Sequence, residues 1–385
     1  MKKINYLFSV LICFGVFITS CEKEVSYNKN IEIPIIADYE LLKINAEKVF
    51  EDIKIQSSNG EVNVDLSNLN PDWKFLMNKE RLYSNDAKVE QLTETGSYKV
   101  KPEKAYFLSG IDKVGNLSLL VSRKSGLRLE YIKNGQLFIV EPLSRHLPES
   151  NNNEYIHYLS DNIIFKNGEC DLVSQDSKSN DHNLKSVVAT RFVELSVIGE
   201  GTWFAEEGNN SWRVIEDIVF FGGARYWYFS SFDLRPVLDY NGVYTNGHNI
   251  IPNPSNSLVA VNEWRNFGNS NSWYPKRDAH VLFTGRTDIT STANSNNIAI
   301  GRTFGLGLVC SNPNNSYMWV GHRDSDFEEF QNFAHELAHL FNGQHQTSGN
   351  GPLANGGLVN QTSTNFHSNA ENQMENYINN NNNCL

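Results

Sequence analysis

His335, Glu336, His339 and His345 are the residues of this chain whose types and spacing can do chemistry together. They lie in one run, His335-Glu336-Leu337-Ala338-His339-Leu340-Phe341-Asn342-Gly343-Gln344-His345. Histidines four positions apart on a helix share a face, so His335 and His339 can offer neutral imidazole nitrogens to one metal ion. Glu336 borders that face and suits a general base acting on a metal-polarised water, rather than a further ligand. His345 follows across Asn342-Gly343, a pair able to leave the helix through a left-handed backbone and return the chain to the metal. Zinc fits this donor set, and metal-assisted hydrolysis is the chemistry it offers.

The elements that must position these groups are also legible. Ser325 and Glu328 read as a capping box with Asp326 and Glu329 in the first turn. Phe327, Phe330, Phe333, Ala334, Leu337 and Phe341 then recur at helical spacing, which predicts a buried helix. Upstream, Phe192-Val193-Glu194-Leu195-Ser196-Val197-Ile198 alternates as a strand does, 234–238 and 278–284 also read as strands, and 212–229 carries an amphipathic helical pattern weakened by Gly222-Gly223. A strand somewhere in 297–303 is the expected edge for an extended substrate. Residues 22–165 show short alternating runs broken by Gly and Asn, which predicts a β-rich domain, and 174–185 is polar, as an exposed linker would be.

At 385 residues the chain is long for a single core, so two domains are expected. The net charge of −11, with no basic stripe, excludes a nucleic-acid partner. Lys2-Lys3 precede an apolar run over 6–18 that is too short for an ordinary membrane helix, and Ile18-Thr19-Ser20-Cys21 resembles a bacterial lipobox. That implies an exported protein with lipid on Cys21, held at the outer membrane or cell surface since Glu22 follows. Of the five cysteines, Cys170, Cys310 and Cys384 remain in a compartment where disulfides persist, and one must be left over.

Several further segments, in order, resemble the adamalysin (reprolysin) family of metzincin zinc endopeptidases. Arg191-Phe192-Val193-Glu194-Leu195 is similar to the opening strand of that catalytic domain. Asp278-Ala279-His280-Val281-Leu282-Phe283-Thr284-Gly285 is similar to a central strand, and Phe366-His367-Ser368 with Tyr377-Ile378 to its last helix. Gly126-Leu127-Arg128, Phe138-Ile139-Val140-Glu141-Pro142-Leu143 and Tyr155-Ile156-His157-Tyr158 are similar to the family's pro-domain. The resemblance implies an α/β (α+β) catalytic domain with a mixed twisted sheet and an active-site helix, preceded by a β-rich pro-domain. The layout would be a signal peptide over 1–20, a pro-domain over 21–173, a linker carrying the activation cut over 174–190, and a zinc metalloprotease domain over 191–385.

It further implies a latent zinc endopeptidase acting on protein or peptide substrates, with zinc on His335, His339 and His345 and Glu336 as general base. Cys170 would be the zymogen switch, Cys310 and Cys384 would form a disulfide, and a calcium ion would sit on Glu194, Asp278 and the carbonyl of Cys384. A monomer is expected, with the catalytic domain released after cleavage. This chain departs from the family in three places: Asp171 rather than glycine follows Cys170, Asn342 replaces a glycine, and Leu358 is nearest to the family's methionine while Met374 lies in the last helix. The competing reading is a catalytically inactive surface binding module on a zinc-stabilised fold. Retention of Glu336 argues against it, because a structural site needs only the histidines.

Overall fold

In residues 35–164 turn residues separate short apolar runs, and the chain folds back at each. The computed structural model describes residues 33, 35–164, 190–228, 230, 233–292, 295–309, 312–323, 325–346, 353 and 366–381. In chain order the first half holds β1 (Glu40–Lys43), α1 (Ala46–Gln56), β2 (Glu61–Asp65), β3 (Lys74–Lys79), β4 (Tyr83–Thr93), β5 (Gly96–Lys99), β6 (Ala105–Ile111), β7 (Leu117–Arg123), β8 (Gly126–Lys133), β9 (Gln136–Pro142) and β10 (Glu154–Leu159). All but β4 and β5 make an antiparallel sheet ordered β1-β10-β9-β8-β7-β6-β3-β2. The β8–β9 hairpin turns on Asn134-Gly135, both at positive φ (54° and 75°), the conformation that matches strand twist in a two-residue loop.

Helix α1 lies in a region that reads as β-rich, and no helix was expected there. Its signals are local and present: the Asn45 side chain caps the Lys48 N–H, and Phe50 and Ile53 recur on one face, packing on β7 and β8 through Leu120 and Leu129.

The second half continues with β11 (Arg191–Gly199), α2 (Gly201–Glu207), α3 (Ser211–Gly223), β12 (Leu234–Tyr244), α4 (Ser257–Ser270), β13 (Ala279–Thr284), β14 (Gly301–Thr303), β15 (Tyr317–Gly321), α5 (Asp326–Leu340) and α6 (Ser368–Asn380). Its sheet runs β14-β15-β13-β11-β12-β4-β5, parallel from β15 to β4 and antiparallel at each edge. Strands β13 and β15 are buried at every position, which is why they read as continuous apolar runs without alternation. The two outer strands of this sheet, β4 and β5, come from the first half of the chain.

The layers follow from which faces are apolar. Helix α4 covers one face of the second sheet, with Val261 and Trp264 against Leu282 and Trp319. Helices α3 and α5 cover the other, and their far sides meet β6 and β7 through Phe107, Leu119 and Val121. The two helices are therefore sandwiched between two sheets. The pattern over 212–229 resolves as α3 ending at Gly223, followed by a π-helical turn over Ala224–Tyr228. Glycine at 222 has a packing reason: a Cβ there would lie 2.8 Å from the Phe330 carbonyl oxygen and 2.9 Å from the Phe333 ring, so only glycine lets α3 and α5 touch.

Candidate active site

Helix α5 starts where its sequence says it should. Ser325 is the N-cap, its hydroxyl accepting from the Phe327 N–H at 3.2 Å, with Asp326, Glu328 and Glu329 in the first turn. The expected capping-box partner points elsewhere: Glu328 pairs with Arg323 at 3.1 Å. Every residue from Phe327 to Leu340 is buried, the polar ones included.

The helix ends as its Asn-Gly pair predicts. Asn342 takes φ 69°, its N–H donates to the His339 carbonyl at 2.9 Å, and the Gly343 N–H donates to the Ala338 carbonyl at 2.8 Å. This paired closure turns the chain through a Schellman motif. His345 then faces the helix, with its Nε2 2.9 Å from that of His335 and 3.1 Å from that of His339, while His335 and His339 are 3.1 Å apart.

Three ring nitrogens on one tetrahedral ion would stand about 3.3 Å apart, given typical Zn–N bonds of roughly 2.0–2.1 Å, so the triangle has the size and chemistry of a zinc-binding face. Protons do not compete for it at neutral pH. Burial, reinforced by the neighbouring imidazoles, holds His335 far below the ordinary histidine range. Burial and His345 hold His339 down at about 3, and burial alone holds His345 at about 4. The Gly343 carbonyl lies 2.7 Å from His339 Nδ1, accepting from the nitrogen that faces away from the triangle.

A pH dependence follows. Unfolded histidines titrate near 6.5, so between about pH 4 and 6.5 the unfolded chain binds more protons than the metal-free fold. These histidines leave stability intact above that window and remove it as pH falls through it. Calorimetry of metal-free protein should show a thermal midpoint that drops from pH 7 to pH 4.5, and drops less in His339→Gln. An equal drop in both proteins would refute this origin.

Glu336 is fully buried, and its carboxylate packs against the edge strand β14: a Cβ on Gly301 would lie 2.7 Å from Glu336 Oε1 and 2.7 Å from Asn332 Oδ1. Asn332 in turn donates to the Ile300 carbonyl at 2.6 Å, tying the helix to that strand. Gly301→Ala should therefore displace the carboxylate while leaving the three histidines in place. A misplacement of about 1 Å can cost roughly 10²-fold in rate, so turnover should fall by that order with metal content unchanged. Undiminished turnover would show that the contact does not position Glu336.

Strand β14 falls within 297–303, where an edge strand was expected, but nothing in the sequence marked Gly301 as the residue touching Glu336. Leu353 is a second residue that sequence reading missed. It is buried at φ 73°, a strained state for leucine, with its N–H 3.3 Å from His335 Nδ1 and its carbonyl accepting from Gln346. Met374 in α6 is fully buried beside Gly343, whose Cβ would meet Met374 Cγ at 3.2 Å and Leu353 Cδ1 at 2.8 Å. These two apolar side chains support the turn beneath the histidines. Leu358 lies outside the described residues.

Glu194 and Asp278 come together, with the Glu194 N–H donating to Asp278 Oδ2 at 2.8 Å. Burial, aided by the nearby Glu194 charge, raises Asp278 to about 6. A cationic side chain already stands there, since the Arg277 guanidinium lies 3.4 Å from Glu194 and 2.6 Å from Asp239. Cys21, Cys170, Cys310 and Cys384 all lie outside the described residues.

A second His/Glu cluster, not foreseen, sits near the start of α5. His322 Nδ1 is 2.7 Å from Glu329 and 3.5 Å from Glu207. Burial opposes a charge on His322, but the two carboxylates raise it to about 9, so it is an imidazolium in an ion pair.

No protein-family model matches the chain, and no curated protein matches it. Among solved structures, the crystal structure of metalloproteinase-II from Bacteroides fragilis is similar, with a TM-score of 0.51 at 14% identity, covering 84% of this chain and 94% of that one. This is a likeness of fold. A coverage of 84% exceeds what residues 190–385 could supply, so the likeness extends over both halves.

Proposed function

We propose that the chain is a zinc-dependent endopeptidase, and the observation that carries this reading is the convergence of three neutral imidazole nitrogens, two buried and that of His345 half-buried, within 3.1 Å of one another, with Glu336 next to the first in sequence. The fold shared with a metalloproteinase supports it. His335, His339 and His345 are the residues that would hold the ion. Zinc, when bound, supplies Lewis acidity that brings the pKa of water from 15.7 to about 7 and favours negative charge on a carbonyl oxygen.

The chain's own residues do the rest. Glu336, excluded from bulk water, is the group placed to accept the proton from the attacking water and return it to the leaving amine. Among the described residues β14, next to Glu336, is the last strand of its sheet, and an extended substrate would add beside it as a further strand. That docking puts a scissile bond near the base, and a peptide is the ligand whose own backbone can pair in this way.

The latency elements belong to the same proposal and rest on sequence. Cys170 is proposed as the group that blocks the site until a cut in 174–190, Cys310 and Cys384 as a disulfide, calcium near Glu194 and Asp278 as a stabiliser, and Cys21 as the lipid anchor of an exported protein. Digestion of casein by linker-cut protein, abolished by a chelator and restored by zinc, is the expected result. Zinc-loaded, linker-cut protein that leaves casein intact would refute the peptidase reading.

A further inference from the structure

The helix bearing the histidines is apolar on the side that faces away from its own sheet, and residues 35–164 cover that side. Phe327 joins Ile139, Leu143 and Ile156 in one core, and Phe220, Phe221 and Phe330 join Phe107, Leu119 and Val121 in another. Arg128 lies over the Phe330 ring at 4.7 Å, and Arg225 over Phe327 at 4.5 Å.

Buried charges cross the same boundary in both directions. From the first half, Arg123 pairs with Glu216 at 2.7 Å and Asp217 at 2.8 Å, and Arg128 and Arg145 pair with Asp326 at 3.1 and 2.5 Å. From the second half, Arg225 pairs with Glu130 and Arg235 with Glu80. Arg123 and Arg225 are 2% and 0% exposed, so separating the halves would strand charges that now sit in low dielectric.

The sheet itself is shared. Strand β4 pairs in parallel with β12 from Lys88↔Tyr240 to Leu92↔Tyr244. Across that pairing Ser84 donates to Asp239 at 2.6 Å, and between β4 and α3 Tyr83 donates to Glu216 at 2.6 Å and Trp212 Nε1 to the Glu90 carbonyl at 3.2 Å. Withdrawing the first half would bare a parallel edge strand and two aromatic helix faces at once.

We infer that residues 35–164 are a permanent partner of residues 190–381: a chain cut in the linker remains a one-to-one complex, its sheet still completed by β4 and β5. The first half touches α5 through Asp326, Phe327 and Phe330 in its first two turns, with His335 and His339 further along, so retention leaves room for a working site. Whatever surface Cys21 anchors would then keep the cut protein, rather than releasing it.

The test uses the full chain after its signal, carrying Glu336→Ala so that it cannot digest itself, with a site for a sequence-specific protease inserted after Lys178. After complete cutting, gel filtration should show both fragments together at the mass of the intact chain, including at about 1 M salt, where exposed ion pairs are screened and buried ones are not. Hydrogen exchange at the amides of 88–92 should match that of the uncut chain. Fragments that separate in native buffer, in either salt, would overturn the inference, as would loss of protection over 88–92. Neither readout involves turnover, so failure of the peptidase reading would leave this result standing.

Discussion

Glu336→Ala is expected to retain the metal on His335, His339 and His345 while losing most of the rate of peptide-bond hydrolysis. A positioned general base contributes about 10²–10⁴-fold, and that is the expected loss in kcat/KM. The separation of effects comes from geometry: the three imidazoles face one another at 2.9–3.1 Å without help from the carboxylate, which packs toward Gly301. Metal analysis beside a casein assay checks both halves of the claim. A variant at full rate would remove Glu336 from the chemistry, and a variant without metal would make it a ligand.

The largest expected effect on stability is at Glu130. Its carboxylate pairs with Arg225, whose side chain is 0% exposed, and with Arg128 at 3.1 Å. Arg128 keeps Glu141 and Asp326 when Glu130 is removed, whereas Arg225 loses the carboxylate that balances its charge. Removing one partner of a buried pair typically costs 3–5 kcal/mol, roughly a third or more of the stability of an ordinary domain, so Glu130→Ala should unfold at distinctly lower denaturant. The double replacement Glu130→Met with Arg225→Met removes both charges and should recover much of the loss. A change below about 1 kcal/mol in Glu130→Ala would mean that water reaches Arg225 after all.

What the sequence disclosed was local. The Ser325 cap of α5, its apolar spacing, the left-handed exit at Asn342 and the arrival of His345 all depend on neighbours within about eleven residues, and each is found as expected, though Glu328 pairs with Arg323. Strands β11, β12 and β13 were legible for the same reason. Pairing was not. Alternation in Tyr83–Thr93 says which side chains share a face but not which strand lies alongside, so the entry of β4 into the second sheet had no signal.

The buried arginines were hidden by a related ambiguity. Arg123, Arg128 and Arg225 look in sequence like ordinary solvated charges, and partners 93, 198 and 95 positions away hold them in the interior. Gly301 and Leu353 escaped notice because each serves the site through one contact from a distant segment, with Glu336 and His335 respectively. The helix α1 is a different case. Its cap and its apolar spacing were there to read, and the β-rich character of the surrounding runs masked them.

The central claim is that His335, His339, His345 and Glu336 together cleave peptide bonds, and counting new amino termini tests it most directly. A defined peptide mixture would be incubated with linker-cut, zinc-loaded protein and, in parallel, with its Glu336→Ala counterpart, and the termini identified by mass spectrometry. The account predicts new internal termini with the unmutated protein, their loss on chelation and their near absence with Glu336→Ala. Equal numbers of termini from the two proteins, or none from either, would contradict it.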